Sequence, residues 1–167
     1  MQVLADSNTS VMEQSGIGHI SMADQSYPST SGNTIFQTQN GTNNFSGATQ
    51  LNNTQKSVIN HIQIGNRNTS VSLEQENSNT VTLTILQSGG GNLFAAIQLD
   101  SQDSAFNLLQ TGSDNQSSLT HIDATSNHSV QLQQGNQNSL NATQIQGFNN
   151  SITTNQLGSN NSCTINK

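Results

Sequence analysis

The sequence predicts an all-β protein, a β-solenoid whose strand–turn–strand rungs stack in parallel with amyloid-like cross-β spacing. Three observations predict it. A six-residue pattern recurs seven times at intervals of 23–25 residues. The recurring positions on either side of the turn are spaced two residues apart along each run, which is the period of a β-strand. The composition is rich in uncharged polar residues and poor in charge, proline and apolar side chains.

The composition favours stacked β-structure over a conventional globule or a disordered chain. The 167 residues, about one domain, include 25 Asn, 21 Gln, 24 Ser and 18 Thr. Apolar residues make up 29%, whereas a globular domain usually has about 45–50%. Disordered chains combine low hydrophobicity with high charge and much proline, but here 7% of residues are charged and Pro28 is the single proline. Uncharged amides can form hydrogen-bonded ladders between identical neighbours.

The recurring pattern is Gln-x-Gly-x-x-Asn, with a degenerate first copy in which His19 replaces Asn. Successive copies are 25, 24, 24, 23, 23 and 23 residues apart. A long polar residue returns eleven places after each Gln. The predicted ladder and turn residues are Gln14, Gly16, His19, Gln25, Gln39, Gly41, Asn44, Gln50, Gln63, Gly65, Asn68, Glu74, Gln87, Gly89, Asn92, Gln98, Gln110, Gly112, Asn115, His121, Gln133, Gly135, Asn138, Gln144, Gln156, Gly158 and Asn161.

Each copy predicts two strands of about seven residues joined by a tight Gly/Asn turn, followed by a loop of five or six residues. The Gly suits a position with positive φ. One such unit cannot bury an apolar face, so we expect each strand to pair in parallel with its equivalent in the next copy. Seven rungs would make a column on the order of 34 Å long. The predicted repeats span 8–32, 33–56, 57–80, 81–103, 104–126, 127–149 and 150–167, after a leader of residues 1–7.

The repeats resemble the curlin repeats of bacterial curli fibres, Ser-x5-Gln-x-Gly-x-x-Asn-x-Ala-x3-Gln. The stretch "SVINHIQIGNRNTSVSLEQ" supplies Ser57, Gln63, Gly65 and Asn68. It departs from the pattern at Ser70, in place of Ala, and at Glu74, in place of the last Gln. Further copies, "SAFNLLQTGSDNQSSLTH" and "VTLTILQSGGGNLFAAIQ", match at the same offsets.

This resemblance implies a structural subunit of an extracellular amyloid fibre that supports biofilm matrix and adhesion. Its partners would be further copies of itself, a nucleator subunit, and a dedicated secretion channel with its chaperones. Whether the chain resembles the major subunit or the nucleator stays open. No signal peptide is visible after Met1, so we expect a mature, exported chain.

Three departures from the pattern stand out, and the last two bear on register. The first Ser of the repeat is replaced by Asn or Val in several copies. In the sixth copy, Val130 and Leu132 fall out of phase with the expected inward positions, and a slip of one residue would reverse that face. Glu74 stands where the ladder expects Gln, so it is either protonated, turned outward or a sign of a misplaced register.

Other functions find little support in the sequence. Nucleic-acid binding is disfavoured by a net charge of −6 with three basic residues. No apolar run is long enough for a transmembrane helix. No catalytic residues, metal site or cofactor are predicted, because the histidines and carboxylates occupy unrelated places in their repeats and Cys163 stands alone. The main alternative is a capped, monomeric solenoid such as an ice-binding protein, but an in-register Thr-x-Thr occurs only at Thr80, Thr82 and Thr84.

The fourth copy also carries apolar residues at positions predicted to face outward. They are Leu86, Leu93, Ala95 and Ile97. We expect them to form one outward stripe that supports lateral bundling of fibres.

Overall fold

The computed structural model describes residues 7–25, 30–75 and 77–167. In these residues the chain forms fourteen β-strands and no helix. The first strands of the repeats are β1 (Thr9–Ile17), β3 (Thr34–Thr42), β5 (Val58–Asn66), β7 (Thr82–Gly90), β9 (Ala105–Ser113), β11 (His128–Asn136) and β13 (Ser151–Leu157). The second strands are β2 (Ile20–Asp24), β4 (Phe45–Gln50), β6 (Thr69–Gln75), β8 (Leu93–Leu99), β10 (Gln116–Ile122), β12 (Ser139–Ile145) and β14 (Ser162–Asn166).

The strands form two parallel sheets, which confirms the predicted all-β solenoid. Sheet I contains the odd-numbered strands in chain order, and sheet II contains the even-numbered strands. The two strands of one repeat therefore lie in different sheets and pair with neighbouring repeats. We number the strand pairs as rungs 1 to 7, from β1–β2 to β13–β14. Alternate side chains point inward between the sheets, so β8 alternates exposed and buried residues along its length.

The first strand of a rung is longer than predicted. Strands β1, β3, β5, β7, β9 and β11 each have nine residues rather than about seven. The repeated Gly therefore lies inside the strand, although its φ is positive as expected, at +114° for Gly65. The chain turns two residues later, at a left-handed residue such as Arg67 (φ 55°) or Asp114 (φ 56°).

Variation in repeat length is confined to the loop after the second strand, which we call the arc. The strands keep one register throughout, and bridges between successive arcs join Gln55 to Asn79 and Asn79 to Gln102. Each described arc points one small residue inward. These buried residues are Thr30, Thr54, Ser78, Ser101, Ala124 and Gly147.

The apolar core is concentrated in the middle rungs. Phe94 of rung 4 stacks on Phe106 of rung 5 with ring centroids 5.4 Å apart. Ile85 and Leu108 are buried beside them. In rungs 2 and 6, buried Gln37 and Gln131 take the positions that Ile85 and Leu108 occupy in the middle rungs.

The sixth rung keeps the common register. Gln133 is the partner of Gln110, so no one-residue slip occurs. Val130 and Leu132 face outward because Ser129 and Gln131 occupy the inward positions. The out-of-phase apolar residues therefore mark a polar interior at this rung, not a displaced strand.

Candidate functional site

The repeated Gln residues form a continuous hydrogen-bonded column through the solenoid. In every case the Nε2 of one rung donates to the Oε1 of the next. The bonds join Gln14 to Gln39 (2.8 Å), Gln39 to Gln63 (2.8 Å), Gln63 to Gln87 (2.9 Å), Gln87 to Gln110 (2.9 Å), Gln110 to Gln133 (2.7 Å) and Gln133 to Gln156 (2.8 Å). The second amide hydrogen donates to a sheet II carbonyl, as from Gln63 to Phe45 O at 2.8 Å. Buried amides are thus satisfied rung after rung.

The repeated Asn residues form a second column that mainly binds backbone groups of the neighbouring rungs, with side-chain bonds from Asn92 to Asn68 and from Asn115 to Asn92. Asn68 Nδ2 donates to the carbonyl of Gly89 in the next rung at 3.1 Å. Asn68 Oδ1 accepts the backbone N–H of Asn92 at 3.2 Å. His19 takes this acceptor role in rung 1, where its Nδ1 accepts the N–H of Asn44 at 3.3 Å.

The Gly column requires glycine because successive backbones approach closely. A Cβ built on Gly65 would lie 2.1 Å from the carbonyl oxygen of Gly89. The same contact recurs from Gly16 through Gly135, at 1.8–2.1 Å. Gly158 differs, because rung 7 has no described rung beyond it and the nearest atom to its Cβ is Asn161 Nδ2 at 3.8 Å.

A third column, just before the first strand, explains the Ser-to-Asn departures from the curlin pattern. The side-chain oxygen here accepts the backbone N–H of the next rung. Asn33 Oδ1 accepts from Ser57 at 3.0 Å, and Ser104 Oγ accepts from Asn127 at 3.3 Å. Asn and Ser perform the same task, and Val81 is the member without such an acceptor.

The polar column eleven places after each Gln is continuous only in its first three rungs. Gln25 donates to Gln50 at 2.7 Å, and Gln50 donates to Glu74 Oε2 at 2.9 Å. Beyond that point, neither amide atom of Gln98 nor either ring nitrogen of His121 hydrogen-bonds any described residue. The amide of Gln144 is equally unpartnered within the described chain. These groups lie in register but do not form a ladder.

Glu74 lies inside the column, in register with Gln50 and Gln98. It is fully buried. Burial raises the pKa of Glu74 from 4.5 to about 8, and hydrogen bonds from Gln50 and Ser57 oppose this rise in part. The carboxyl group is therefore protonated at neutral pH. Of the three explanations that the sequence left open, the structure selects the inward, protonated acid.

A fourth inward column, two places before each Gln, was not predicted. Its members Gln37, His61 and Gln131 hydrogen-bond Ser residues of sheet II, whereas Thr154 Oγ1 has no partner among the described residues. Ser117 Oγ donates to Gln131 Oε1 at 2.6 Å, and Ser21 makes the equivalent bond to Gln37. Ser70 has no polar member of this column opposite it, and its Oγ has no hydrogen-bond partner among the described residues.

His61 belongs to this fourth column and is fully buried. Its Nδ1 lies 2.9 Å from Ser46 Oγ and its Nε2 lies 2.7 Å from Ser72 Oγ. Burial lowers the pKa of His61 from 6.5 to about 3. It also lowers the pKa of His121 to about 4. Both rings are neutral in the folded chain, so they are structural members of the interior.

The two end rungs expose groups that the inner rungs bury. A recess of about 460 Å³ against rung 7 is lined by Thr154, Gln156, Asn161 and Cys163, among others. Cys163 and Ile165 are partly exposed, whereas Leu140 and Ala142, their partners in rung 6, are buried. Every residue of β1 in rung 1 is exposed. These open edges are the candidate functional site.

Comparison of the chain with models of protein families, with curated proteins and with solved structures found no match. In the described residues no helix has the length and apolar character needed to cross a membrane. No cluster of three or more His, Cys, Asp or Glu side chains suited to a metal ion occurs in the same residues.

The predicted outward stripe is divided between two surfaces. Leu86 lies in β7 of sheet I, whereas Leu93, Ala95 and Ile97 lie in β8 of sheet II. The outward faces of the two sheets point away from each other. The prediction that these residues form a single stripe is therefore wrong. The sequence showed that all four face outward but not that they belong to opposite faces.

Proposed function

We propose that this chain is the structural subunit of a curli-like extracellular amyloid fibre, which grows by end-to-end templating of β-strands. Rung 7 of one copy pairs with rung 1 of the next in this scheme. The observation that supports this proposal is the polarity of the hydrogen-bond columns. Side-chain amides donate from each rung to the next, and the columns end at rungs 1 and 7 with groups that have no further rung to bond.

The C-terminal end presents donors. Gln156 Nε2 donates to Ser139 O at 3.0 Å, whereas the equivalent Nε2 of each inner rung donates also to the Gln of the following rung. Asn161 Nδ2 donates to Leu157 O at 2.9 Å, while its inner counterparts also donate to the Gly carbonyl of the following rung. Gln156 Nε2 and Asn161 Nδ2 can therefore make the same donations to a rung that stacks on this end surface.

The N-terminal end presents the matching acceptors. Gln14 Oε1 and Gly16 O occupy the positions that accept these bonds in inner rungs, where Gln63 Oε1 accepts from Gln39 and Gly65 O accepts from Asn44. Head-to-tail stacking therefore continues both columns, whereas joining two like ends would oppose donor to donor or acceptor to acceptor. This polarity supports a fibre in which all subunits point the same way.

The replacement of Asn by His19 in rung 1 is compatible with such a junction. The groups that rung 1 would offer to a preceding copy are Gln14 Oε1, Gly16 O and the backbone N–H of His19. The imidazole of His19 instead faces the turn of its own rung and the next, with Nε2 at 3.0 Å from Ser15 O. A nucleator of the same fibre would use the same junction, so this proposal covers both subunit types.

The ice-binding alternative gains no support from the outer surfaces. A hydroxyl array would need Thr on many successive rungs of one outward column. Among the described strand positions, Thr120 and Thr143 form one run of two rungs, and Thr9 and Thr34 form another. No outward column of the described strands carries a longer run.

The test is to incubate the purified chain at micromolar concentration and follow thioflavin fluorescence and electron microscopy. We expect fibres whose growth is seeded by preformed fibres. A folded monomer that stays free of fibres for days would contradict the proposal and favour a capped solenoid.

A substitution at the junction sharpens this test. In Gly158→Ala the new Cβ has open space in the single chain, but in a fibre it would meet Gly16 O of the next copy at about the 2 Å seen at inner rungs. We expect this variant to fold and to block elongation of wild-type seeds at one end. Gly32→Ala is the matched control, because Gly32 also has positive φ (65°) but its nearest neighbours are 3.7 Å away. Equal elongation with both variants would rule out this junction.

A further inference from the structure

The outward surface of sheet II is divided into an apolar half and a polar half. We consider the three central outward positions of each strand. In β2, β4, β6 and β8, eight of these twelve positions carry apolar side chains, including Ile20, Met22, Phe45, Val71, Leu93 and Ile97. In β10, β12 and β14, all nine carry Ser, Thr, Asn or Gln. We call the apolar half, in rungs 1 to 4, the apolar face.

The apolar face is flat and nearly uncharged. Its residues stand in register along parallel strands, as for Val71 with Ala95. The Phe45 ring covers Gly47, where an added Cβ would meet the ring at 3.5 Å. Asp24, at the edge of rung 1, is the one charged residue among the 21 positions of the described sheet II surface.

The exposure of this face is unusual for a chain with so few apolar residues. Apolar residues make up 29% of the sequence, yet Val71, Leu93 and Ile97 remain 41–42% exposed and Ile20 and Met22 54% exposed. A contiguous exposed apolar surface on a soluble protein marks a contact site. A flat β-sheet of aligned side chains is best covered by another flat sheet that interdigitates with it.

We propose that the apolar face binds the apolar face of a second copy of this chain, so that two filaments pair side by side. This inference rests on the proposed function, because it requires filaments. The partner is a second copy because the same face is the flat, extended and uncharged surface that matches it in size and spacing.

The size of the face explains why pairing would follow assembly. Four strands about 4.8 Å apart and three outward positions about 6.6 Å apart cover roughly 350 Å². A stable protein interface buries about 800 Å² on each partner. One face is therefore too small to hold two monomers together, whereas a filament repeats it at every subunit and adds the contacts through avidity.

The experiment compares two triple variants with the wild type by electron microscopy of filament width. The first, Val71→Thr, Leu93→Thr and Ile97→Thr, replaces three of the eight apolar side chains of the apolar face with Thr, a β-branched residue that favours strands. The control, Ile62→Thr, Leu86→Thr and Leu109→Thr, removes three aliphatic side chains that lie in register on sheet I, the opposite surface. Thioflavin fluorescence and sedimentation of the unassembled chain are measured for all three proteins.

We expect the wild type and the control to form paired filaments and the first variant to form single filaments of half the width. The unassembled wild type should sediment as a monomer. Unpaired wild-type filaments, or paired filaments of the first variant, would overturn the inference while leaving the proposed function intact. Loss of pairing in both variants would also overturn it, since pairing would then not depend on this face. Absence of thioflavin-positive filaments in the wild type would overturn the proposed function and the inference with it.

Discussion

At the scale of single residues, the same amide chemistry has opposite consequences in two columns. Gln87 donates to Gln110 and to Thr69 O, and its oxygen accepts from Gln63, so its polar atoms are satisfied. Gln98 is equally buried, but its amide has no hydrogen-bond partner among the described residues. Burying an unpaired amide costs free energy, whereas a paired one contributes modestly to stability.

This contrast predicts opposite effects of one substitution. Gln87→Leu should lower the free energy of unfolding by about 3 kcal/mol, because three partners lose their bonds. Gln98→Leu should raise it by about 1–2 kcal/mol, because it removes two unpaired buried atoms. Urea unfolding of the dilute, unassembled chain measures both. A destabilised Gln98→Leu protein would show that this amide has a partner in solution.

At the scale of the elements, strands and arcs differ in what they tolerate. A strand is fixed on both sides by its neighbours, and its alternation decides which side chains are buried. An arc has bridges and one inward residue, and the described arcs already differ in length. Arcs of five residues lie between Gln98 and Ser104 and between His121 and Asn127, whereas six residues separate Gln50 from Ser57.

We therefore predict that one inserted residue is tolerated in an arc but not in a strand. One Ser inserted between Asp123 and Ala124 lengthens the arc to six residues and should change the free energy of unfolding by less than about 1 kcal/mol. One Ser inserted after Asn107 in β9 would turn Phe106 or Leu108 outward and should abolish cooperative unfolding. Circular dichroism during thermal unfolding distinguishes the two. Equal destabilisation would contradict the division of roles.

The elements also show what the sequence could and could not predict. The repeat period and the two-residue spacing of the recurring positions sufficed to predict the solenoid and the column of Gln63, because those features repeat in each copy. The bond between Ser117 and Gln131 joins different positions of different rungs, so aligning the copies does not reveal it. The polar atoms of Gln98 and His121 lie in register but do not hydrogen-bond, and a pattern of polar residues does not show which neighbours bond.

At the scale of the whole molecule, three buried ionisable groups determine how stability depends on pH. The pKa of Glu74 is raised to about 8, so between about pH 4.5 and 8 the unfolded chain releases a proton that the folded chain keeps. Stability therefore falls as pH rises across that range. The pKa values of His61 and His121 are lowered to about 3 and about 4. Below about pH 6.5 the unfolded chain takes up protons that the folded chain does not, so stability falls as pH decreases.

These opposing effects predict maximum stability near pH 6.5. Below it the two histidines outweigh the single glutamate, and above it the glutamate outweighs the histidines. Between pH 6.5 and 8 the wild type should lose about 1 kcal/mol, because the slope starts from zero at pH 6.5 and stays below the limiting value of about 1.4 kcal/mol per pH unit. Glu74→Gln should remove this loss while leaving the acidic side unchanged. Urea unfolding at a series of pH values measures both limbs, and an alkaline loss that persists in Glu74→Gln would assign it to another group.

The register that every strand keeps has a consequence for how the gene can change in length. Each rung makes the same contacts above and below through its Gln, Gly and Asn columns, so a duplicated or deleted segment that runs from one position to its equivalent in the next repeat restores those contacts at its boundaries. Changes of other lengths shift the columns unless they fall in an arc. Unequal recombination between repeats can thus lengthen or shorten this protein by whole rungs without creating a new kind of interface.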